Sequence, residues 1–260
     1  MTPQALSLFS LLLAGHIAGD FLLQTKTVAT RKNRWAPLSQ HAAIVAGLSY
    51  LLCGAWRHWE IPVAIFLSHA LIDRIKVNTG GKTTRAFVVD QLAHVAITLA
   101  TAIGVVRYGE PLSLFWVQQF GPAFVKIVVF AAGGVATVRA GGFLIGLAVQ
   151  PLLAQFTDAQ PPADPGSSMS LTAAPGGGLL GGGQLIGQLE RALVFLFIMM
   201  NQPTAVGFLI TAKSIFRFGD IREHRQMMLA EYIIIGTLMS FGYGIFISYL
   251  TKILLEMLPA

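Results

Sequence analysis

Long apolar runs separated by short polar loops dominate the hydropathy pattern of this 260-residue chain. A membrane-spanning helix needs about 20 mostly apolar residues. Runs that meet or approach this length lie near 4–24, 38–56, 61–77, 86–106 and 121–138, and further runs lie at Leu185–Met200, Thr204–Phe218 and about 230–251. The pattern predicts an all-α, polytopic membrane helix bundle with about eight membrane helices.

A change of composition divides the chain into two blocks. Residues 154–183 are rich in Pro, Gly, Ser and Ala without periodicity, which predicts a flexible cytoplasmic linker between an N-terminal membrane block, 1–153, and a C-terminal membrane block, 184–260. Gly141-Gly142 is expected to break the fifth helix and to leave a short apolar piece, 143–153, on the inner membrane surface. Asn201-Gln202-Pro203 allows either a helical hairpin or one kinked span over 185–218, and basic residues at both ends favour the hairpin.

Composition and charge support a membrane protein and indicate its orientation. The chain is 54% hydrophobic and 12% charged, with a net charge of +6 and a mean hydropathy of +0.66, which is far from a soluble domain. Basic residues concentrate in the first and third loops, so these loops should be cytoplasmic and the N-terminus outside. The basic residues therefore indicate membrane orientation and no nucleic-acid partner. They are Lys26, Arg31, Lys32 and Arg34 in the first loop, and Arg74, Lys76, Lys82 and Arg85 in the third.

Seven ionisable side chains interrupt the apolar runs of the first block: His16, Asp20, His41, His69, Asp73, Asp90 and His94. Three pairs are four residues apart and would share one face of a helix. In the predicted topology all seven lie toward the cytoplasmic side. The steps of 4 and 21 residues from His16 to Asp20 to His41 recur from His69 to Asp73 to His94. This regularity predicts a parallel repeat of two helical hairpins, offset by 53 residues.

Imidazoles and carboxylates are the ligands that Zn²⁺, Mn²⁺ and Fe²⁺ accept, which makes this constellation a candidate metal site. We predict ligation by His16, Asp20, His69, Asp73, Asp90 and His94, with His41 as a ligand or a general base. Either two ions about 3.5–4 Å apart share the groups, or one ion binds while the remaining acids orient imidazoles. Zn²⁺ or Mn²⁺ is the expected cofactor. The alternative is a structural or proton-relaying network in which His and Asp satisfy one another.

Further polar residues could assist this chemistry. Lys76 lies at helical spacing from Asp73 and could neutralise developing charge or could extend to the interface. Gln24 and Gln91 are expected to support the ligands from behind. In the second block, Lys213 and Arg217 could hold a phosphate with Glu190 and Glu231 beside them; the alternative is lipid-interface anchoring and an ordinary ion pair of Glu190 with either base.

Several of these segments resemble a bacterial integral-membrane family of the domain-of-unknown-function 3307 type. The resemblance lies in 16–24, 68–73 and 90–94, and the far end of longer members is similar to 186–191, 212–218 and 230–232. It implies a multi-pass bacterial membrane protein and brings no activity with it. A looser similarity links the chain to membrane-bound proteins described as metal-dependent hydrolases, which share His and Asp at helix ends.

We therefore predict a metal-dependent hydrolase in the bacterial inner (cytoplasmic) membrane, acting on a phosphoester of a lipid or other amphiphile at the cytoplasmic side. A transporter or proton-coupled channel that uses the same residues as a relay is the first alternative. Transporter sites tend to lie near the midplane in broken helices, whereas these polar groups lie off-centre in largely unbroken runs. A non-catalytic membrane scaffold is the second alternative.

Overall fold

The computed structural model describes residues 1–81, 83–158, 181–215 and 224–259. Within these residues the chain is helical and has no strand, as predicted. Five helical segments are long and apolar enough to cross a membrane: 3–23, 35–53, 84–108, 123–153 and 231–257. The structure therefore supports a helical membrane protein with five candidate spans, and it does not confirm the count of eight.

Four long helices of the first block enclose a common core. Helix α1 (Pro3–Ala18) continues as a π-helical turn (Gly19–Leu23), which is followed by the short α2 (Lys26–Thr30), α3 (Trp35–Cys53), α4 (Glu60–Asn78) and α5 (Thr84–Tyr108). Helix α1 packs on α3 and α5, and α4 packs on the same two helices. Leu8, Leu11, Val45, Ile61 and Ala102 fill the interior between them. Because apolar burial fills one end of this bundle, the polar side chains collect at the other.

Threonine caps and one close helix contact position the helices at the polar end. The hydroxyl groups of Thr25 and Thr83 accept hydrogen bonds from the N–H groups of Val28 and Ala86, so α2 and α5 begin at defined residues. A Cβ atom at Gly15 would lie 2.5 Å from Ser49 Cα. The missing side chain therefore lets α1 approach α3 closely, one residue before His16.

The fifth predicted span is longer than expected, and the predicted break is wrong. After α6 (Phe115–Phe120), the chain forms α7 (Ala123–Val135), a second π-helical turn (Ala136–Ala140) and α8 (Gly141–Asp158) without interruption. Thus 143–153 is not a separate surface piece. A Cβ at Gly141 would meet Tyr243 Cε1 at 2.6 Å. The glycines serve close helix packing, and a bundle neighbour compensates for their low helix propensity.

The second block contains α9 (Gly182–Met199), α10 (Pro203–Ile215) and α11 (His224–Met257). Asn201 adopts a φ of 59°, in the left-handed region, at the turn between α9 and α10. The two helices lie side by side, with Lys213 Nζ 2.6 Å from Glu190 Oε2, and neither is among the five candidate spans. Most of the predicted linker, 159–180, lies outside the described residues, and α8 continues to Asp158.

Candidate metal centre

The structure brings all seven predicted residues together at one end of the first block. They come from α1 with its π-helical turn, α3, α4 and α5, and their side chains are almost entirely buried. The π-helical turn carries Asp20, and it places the Asp20 Oδ2 atom 3.9 Å from His16 Nε2. Such turns add one residue to a helical turn and often occur at functional sites. The convergence expected from spacing and depth is therefore present.

Four donor atoms form the centre of this cluster: Asp20 Oδ1, His41 Nε2, His69 Nε2 and Asp73 Oδ2. The two imidazole nitrogens are 3.0 Å apart. Asp20 Oδ1 lies 3.1 Å from His41 Nε2 and 3.4 Å from His69 Nε2. Asp73 Oδ2 lies 3.7 Å from the first nitrogen and 3.6 Å from the second. Each carboxylate oxygen therefore faces both imidazoles.

These separations have the size of the edges of a tetrahedral coordination sphere. Zinc binds imidazole nitrogen and carboxylate oxygen at roughly 2.0–2.2 Å, so two ligands in a tetrahedral site lie roughly 3.3–3.5 Å apart. Asp20 Oδ1, His41 Nε2 and His69 Nε2 lie 3.0 to 3.4 Å from one another and form a group whose ligand atoms are all mutually close. Asp73 does not belong to that group, although its Oδ2 lies within 3.7 Å of both imidazole nitrogens. Two imidazoles and one carboxylate thus have the spacing of a single Zn²⁺ or Mn²⁺ site, and Asp73 would have to move toward Asp20 to become a fourth ligand.

His94 presents a second donor next to the first four. Its Nδ1–H donates to the Asp90 carbonyl oxygen at 2.8 Å, which leaves the lone pair on Nε2. His94 Nε2 and Asp90 Oδ1 are buried and have no hydrogen-bond partner among the described residues. His94 also belongs to two close donor groups, one with His16 and His69 and one with Asp73 and Asp90, each with ligand atoms within 4.8 Å of one another. A second ion position beside the first would use these atoms.

The proposed hairpin repeat agrees with the ring contacts. The offset of 53 residues pairs His16 with His69 and His41 with His94. A twofold relation would therefore exchange the His16–His94 contact with the His69–His41 contact, and the ring centroids are 4.7 and 4.9 Å apart, respectively. The interplanar angles of 20° and 60° differ, so the relation is approximate.

Two lysines reach the carboxylates of the cluster. Lys76 Nζ donates to Asp90 Oδ2 at 2.7 Å, and Lys32 Nζ donates to Asp73 Oδ2 at 2.6 Å. Sequence reasoning singled out Lys76 but treated Lys32 only as a basic loop residue. The signal that could have found Lys32 is a charge argument. Three carboxylates buried together require cations, and the loop after α1 supplies one at the same end.

Both predicted glutamines contact the cluster directly. Gln24 Nε2 is 2.9 Å from His41 Nε2, the same nitrogen that faces the other donors, so the amide occupies the position that an ion would take on this ring. The Gln91 side chain amide donates to Asp20 Oδ2 at 3.3 Å and to Asp90 Oδ2 at 3.2 Å, and its oxygen lies 3.3 Å from His16 Nε2. Gln91 therefore links the two donor sets, which is the arrangement that fixes ligand orientation in metal sites.

A cavity of about 460 Å³ opens beside the cluster. Its walls come from the chain around α2 and from the end of α4, and they include Gln24, Lys32, Asn33, Asp73, Lys76 and Gly81. Ligand pockets commonly measure about 300–1,000 Å³. The cavity has room for a small ligand or head group in contact with one of the four central donors.

The predicted residues of the second block form a separate set. Lys213 pairs with Glu190, and Glu231 is exposed. Arg191, one of the basic residues that favoured the hairpin, is buried, and its guanidinium donates to the Val138 carbonyl oxygen and to Ser240 Oγ. No described contact joins Glu190, Lys213 or Glu231 to the His/Asp cluster, and Arg217 lies outside the described residues.

Comparison with known proteins gives a family for part of the chain. Residues 8–120, which span α1 to α6 and include the whole His/Asp cluster, match the family model described as "Protein of unknown function (DUF3307)". Neither a curated protein nor a solved structure matches the chain. The second block lies outside the matched segment.

Proposed function

We propose an activity from the geometry of the site, because the family model that matches residues 8–120 carries no described function. The protein is a metal-dependent membrane hydrolase that cleaves a phosphoester of a lipid or other amphiphile. The observation that carries this proposal is the buried group of Asp20, His41 and His69, whose ligand atoms lie 3.0 to 3.4 Å from one another, with Asp73 Oδ2 within 3.7 Å of both imidazoles. No thiolate takes part, which favours a catalytic over a Cys-type structural zinc site.

The residues around these donors have distinct tasks. His41 is a ligand and not the base, because its Nε2 faces Asp20 Oδ1 and His69 Nε2. The Gln24 amide lies 2.9 Å from the same nitrogen and would give way to a bound ion. His94 and Asp90, with His16 and His69 alongside, offer a second ion position. Divalent ions held here would make water nucleophilic near neutral pH and stabilise charge on a phosphoryl oxygen. Attack of this water on phosphorus would break the ester P–O bond, and the proton that the water loses would go to the leaving alkoxide, which departs as the alcohol.

Lys76 stabilises the charge that develops on the phosphoryl oxygens. Its ammonium group lies 2.7 Å from Asp90 Oδ2 and borders the cavity. A fixed cation in a partly buried site interacts more strongly with developing charge than it would in water. Lys76 therefore acts beside the second ion position, at the boundary between the donors and the aqueous cavity.

The relay alternative is less well supported than hydrolysis. A transporter needs a polar route to both faces of the membrane. On the far side of the cluster the described interior is mostly apolar, with Leu8, Leu12, Ile61 and Val105. The buried Ser10, Ser49 and Thr98 lie among these side chains. The polar cluster and its cavity thus open toward one end of the bundle, which suits a reaction at one membrane surface.

We also infer the topology in finer detail than five candidate spans. Helix α4 carries an exposed apolar stripe, Val63, Leu67, Leu71 and Ile75, opposite its buried His69 and Asp73, as expected for a lipid-facing helix. Helices α9 and α10 likewise expose large apolar residues such as Leu189 and Phe208. Counting these three gives eight membrane helices with the basic loops and the site on the cytoplasmic side of a bacterial inner membrane and the N-terminus outside.

Labelling of introduced cysteines from each side of sealed vesicles tests this orientation. A membrane-impermeant maleimide should label Thr30→Cys only from the cytoplasmic side and Thr2→Cys only from the opposite side. Labelling of both positions from one side would contradict the topology. Because the native Cys53 is buried, we expect a low background of labelling.

Elemental analysis of the detergent-purified protein tests the proposed activity. The wild-type chain should retain Zn or Mn, and His69→Ala and Asp73→Asn should lose most of it. His58→Ala is the matched control, because His58 is equally buried but pairs with Glu60 away from the cluster. Hydrolysis of a chromogenic phosphoester should stop on chelation and return with the metal. Metal retained at the wild-type level in both ligand variants would refute the assignment.

A further inference from the structure

The cavity beside the cluster has two cationic side chains on its walls. Lys32 precedes α3, and Lys76 lies near the end of α4, so they approach from different parts of the chain. Their side chains are 12% and 26% exposed, respectively. Both ammonium groups thus stand between the buried carboxylates and the open volume of the cavity.

Each lysine has hydrogen-bonding capacity to spare. An ammonium group has three N–H donors. Lys32 uses one of them on Asp73 Oδ2, and Lys76 uses one on Asp90 Oδ2. Each group therefore has donors for an anion in the cavity without first leaving its carboxylate.

Contacts around the two lysines hold them on the cavity walls. Arg74 donates to the carbonyl oxygen of Asn33, next to Lys32, at 2.9 Å and lies over the Trp35 ring. Gly81 packs so closely on the Lys76 stem that a Cβ atom there would lie 2.5 Å from Lys76 Cγ. Both cations are thereby placed before any ligand arrives, which reduces the entropy lost on binding.

We propose that this cavity binds the phosphate group of the substrate, with Lys32 and Lys76 as its two anion contacts. The proposal rests on the proposed hydrolase and names the part of the substrate that the site recognises. Charge-assisted N–H···O bonds to phosphate are the strongest hydrogen bonds that lysine makes. A volume of about 460 Å³ accepts a phosphorylated head group but leaves acyl chains outside. Both a free phosphoester and a lipid head group present this chemistry.

Isothermal titration calorimetry on the full, metal-loaded chain in detergent micelles tests the proposal. The soluble probe is sn-glycerol 3-phosphate, and the lipid probe is phosphatidic acid in the micelle, with phosphatidylcholine as its control. Lys32→Met and Lys76→Met should each weaken binding about tenfold to a hundredfold, because each removes charged hydrogen bonds. Lys32→Arg should restore much of the affinity. Lys126→Met, on α7, is the matched control and should bind as the wild type does.

The two arms identify the source of the phosphate. Lysine-dependent binding of the soluble probe supports a free phosphoester, and lysine-dependent binding of phosphatidic acid alone supports a lipid head group. Binding that is unchanged in both Met variants overturns the proposal, as does the failure of both probes to bind the wild-type chain.

Metal content measured on the same samples separates this inference from the proposed function. A metal-loaded chain that binds neither probe refutes only the anion site. A chain without bound metal that still binds a probe through Lys32 refutes the metal-dependent hydrolase and retains the anion site. Circular dichroism of each Met variant checks that its helices remain folded.

Discussion

Two buried polar groups in this protein differ in how completely their members satisfy one another. In the second block, Glu190 pairs with Lys213, and Arg191 donates to the Val138 carbonyl oxygen and to Ser240. In the first block, three carboxylates and four imidazoles share two lysines and two glutamines. Two buried atoms of that cluster, Asp90 Oδ1 and His94 Nε2, find no partner among the described residues.

This difference distinguishes buried polar side chains that stabilise helix packing from buried polar side chains that could bind a ligand. A closed set of ion pairs and hydrogen bonds stabilises helix packing and has no capacity for a ligand. A set with spare acceptors and lone pairs, next to a cavity, retains that capacity at a cost in stability. Both sets lie against π-helical turns: Asp20 belongs to the first turn, and Arg191 bonds a carbonyl group of the second. The turn alone therefore does not indicate function.

The largest effect is expected from removing Arg191, the centre of the second-block set of Glu190, Arg191 and Lys213. Arg191→Leu leaves the Val138 carbonyl group and Ser240 without their donor, and should lower the free energy of unfolding by about 3 kcal/mol. We expect metal content to stay at the wild-type level, since Arg191 contacts no member of the His/Asp cluster among the described residues. Unfolding in detergent mixtures and elemental analysis provide the two measurements. Loss of metal comparable to that in His69→Ala would show that the second-block set and the His/Asp cluster act as one functional unit.

A change in helix packing sharpens the comparison, because it moves α1 and α3, which carry members of the first-block His/Asp cluster. Gly15→Ala would force a Cβ atom to 2.5 Å from Ser49, separate α1 from α3 and cost about 1–3 kcal/mol. His16 and Asp20 would then shift relative to His41, so metal affinity should fall as well. Gly47→Ala is the control, because a Cβ at Gly47 meets nothing within 4 Å. Equal effects of the two substitutions would show that helix propensity and not the α1–α3 contact is responsible.

The smallest expected effect concerns a residue that contacts the donor atom of His41 itself. Gln24→Ala removes the amide that lies 2.9 Å from His41 Nε2. Because this amide and an ion use the same lone pair, we expect metal affinity to stay the same or to rise slightly. Competition with a chromogenic chelator measures the change, and Gln118→Ala, on α6, serves as a control glutamine. A tenfold loss of affinity in Gln24→Ala alone would contradict the assignment of His41 Nε2 as the ligand atom.

Sequence reasoning succeeded where one physical pattern dominated. Apolar runs predicted the helices α1 and α3 to α5 to within a few residues, because lipid-depth helices have few alternatives. The i, i+4 pairs and the shared depth of His16, Asp20, His69 and Asp73 predicted their convergence. Charge at both ends of 185–218 predicted the hairpin of α9 and α10.

The errors come from contacts between distant parts of the chain. Gly141-Gly142 looks like a helix break from propensity alone, but Tyr243 and Arg191 occupy the space beside the glycines. Lys32 lies 41 residues from Asp73, and no periodicity predicts that a loop lysine reaches it. The ion pair of Glu190 with Lys213, which the sequence offered as the alternative to a phosphate site, is present. Each of these outcomes depends on tertiary packing that local pattern does not contain.

X-ray absorption at the metal edge of the purified protein tests the central claim most directly. For Zn²⁺ in the four-donor position we expect nitrogen and oxygen ligands at about 2.0–2.1 Å, with the outer-shell scattering of two imidazoles. His58→Ala should leave this spectrum unchanged, and His41→Ala should remove one imidazole contribution. A spectrum without imidazole scattering in the wild-type protein would contradict the metal centre.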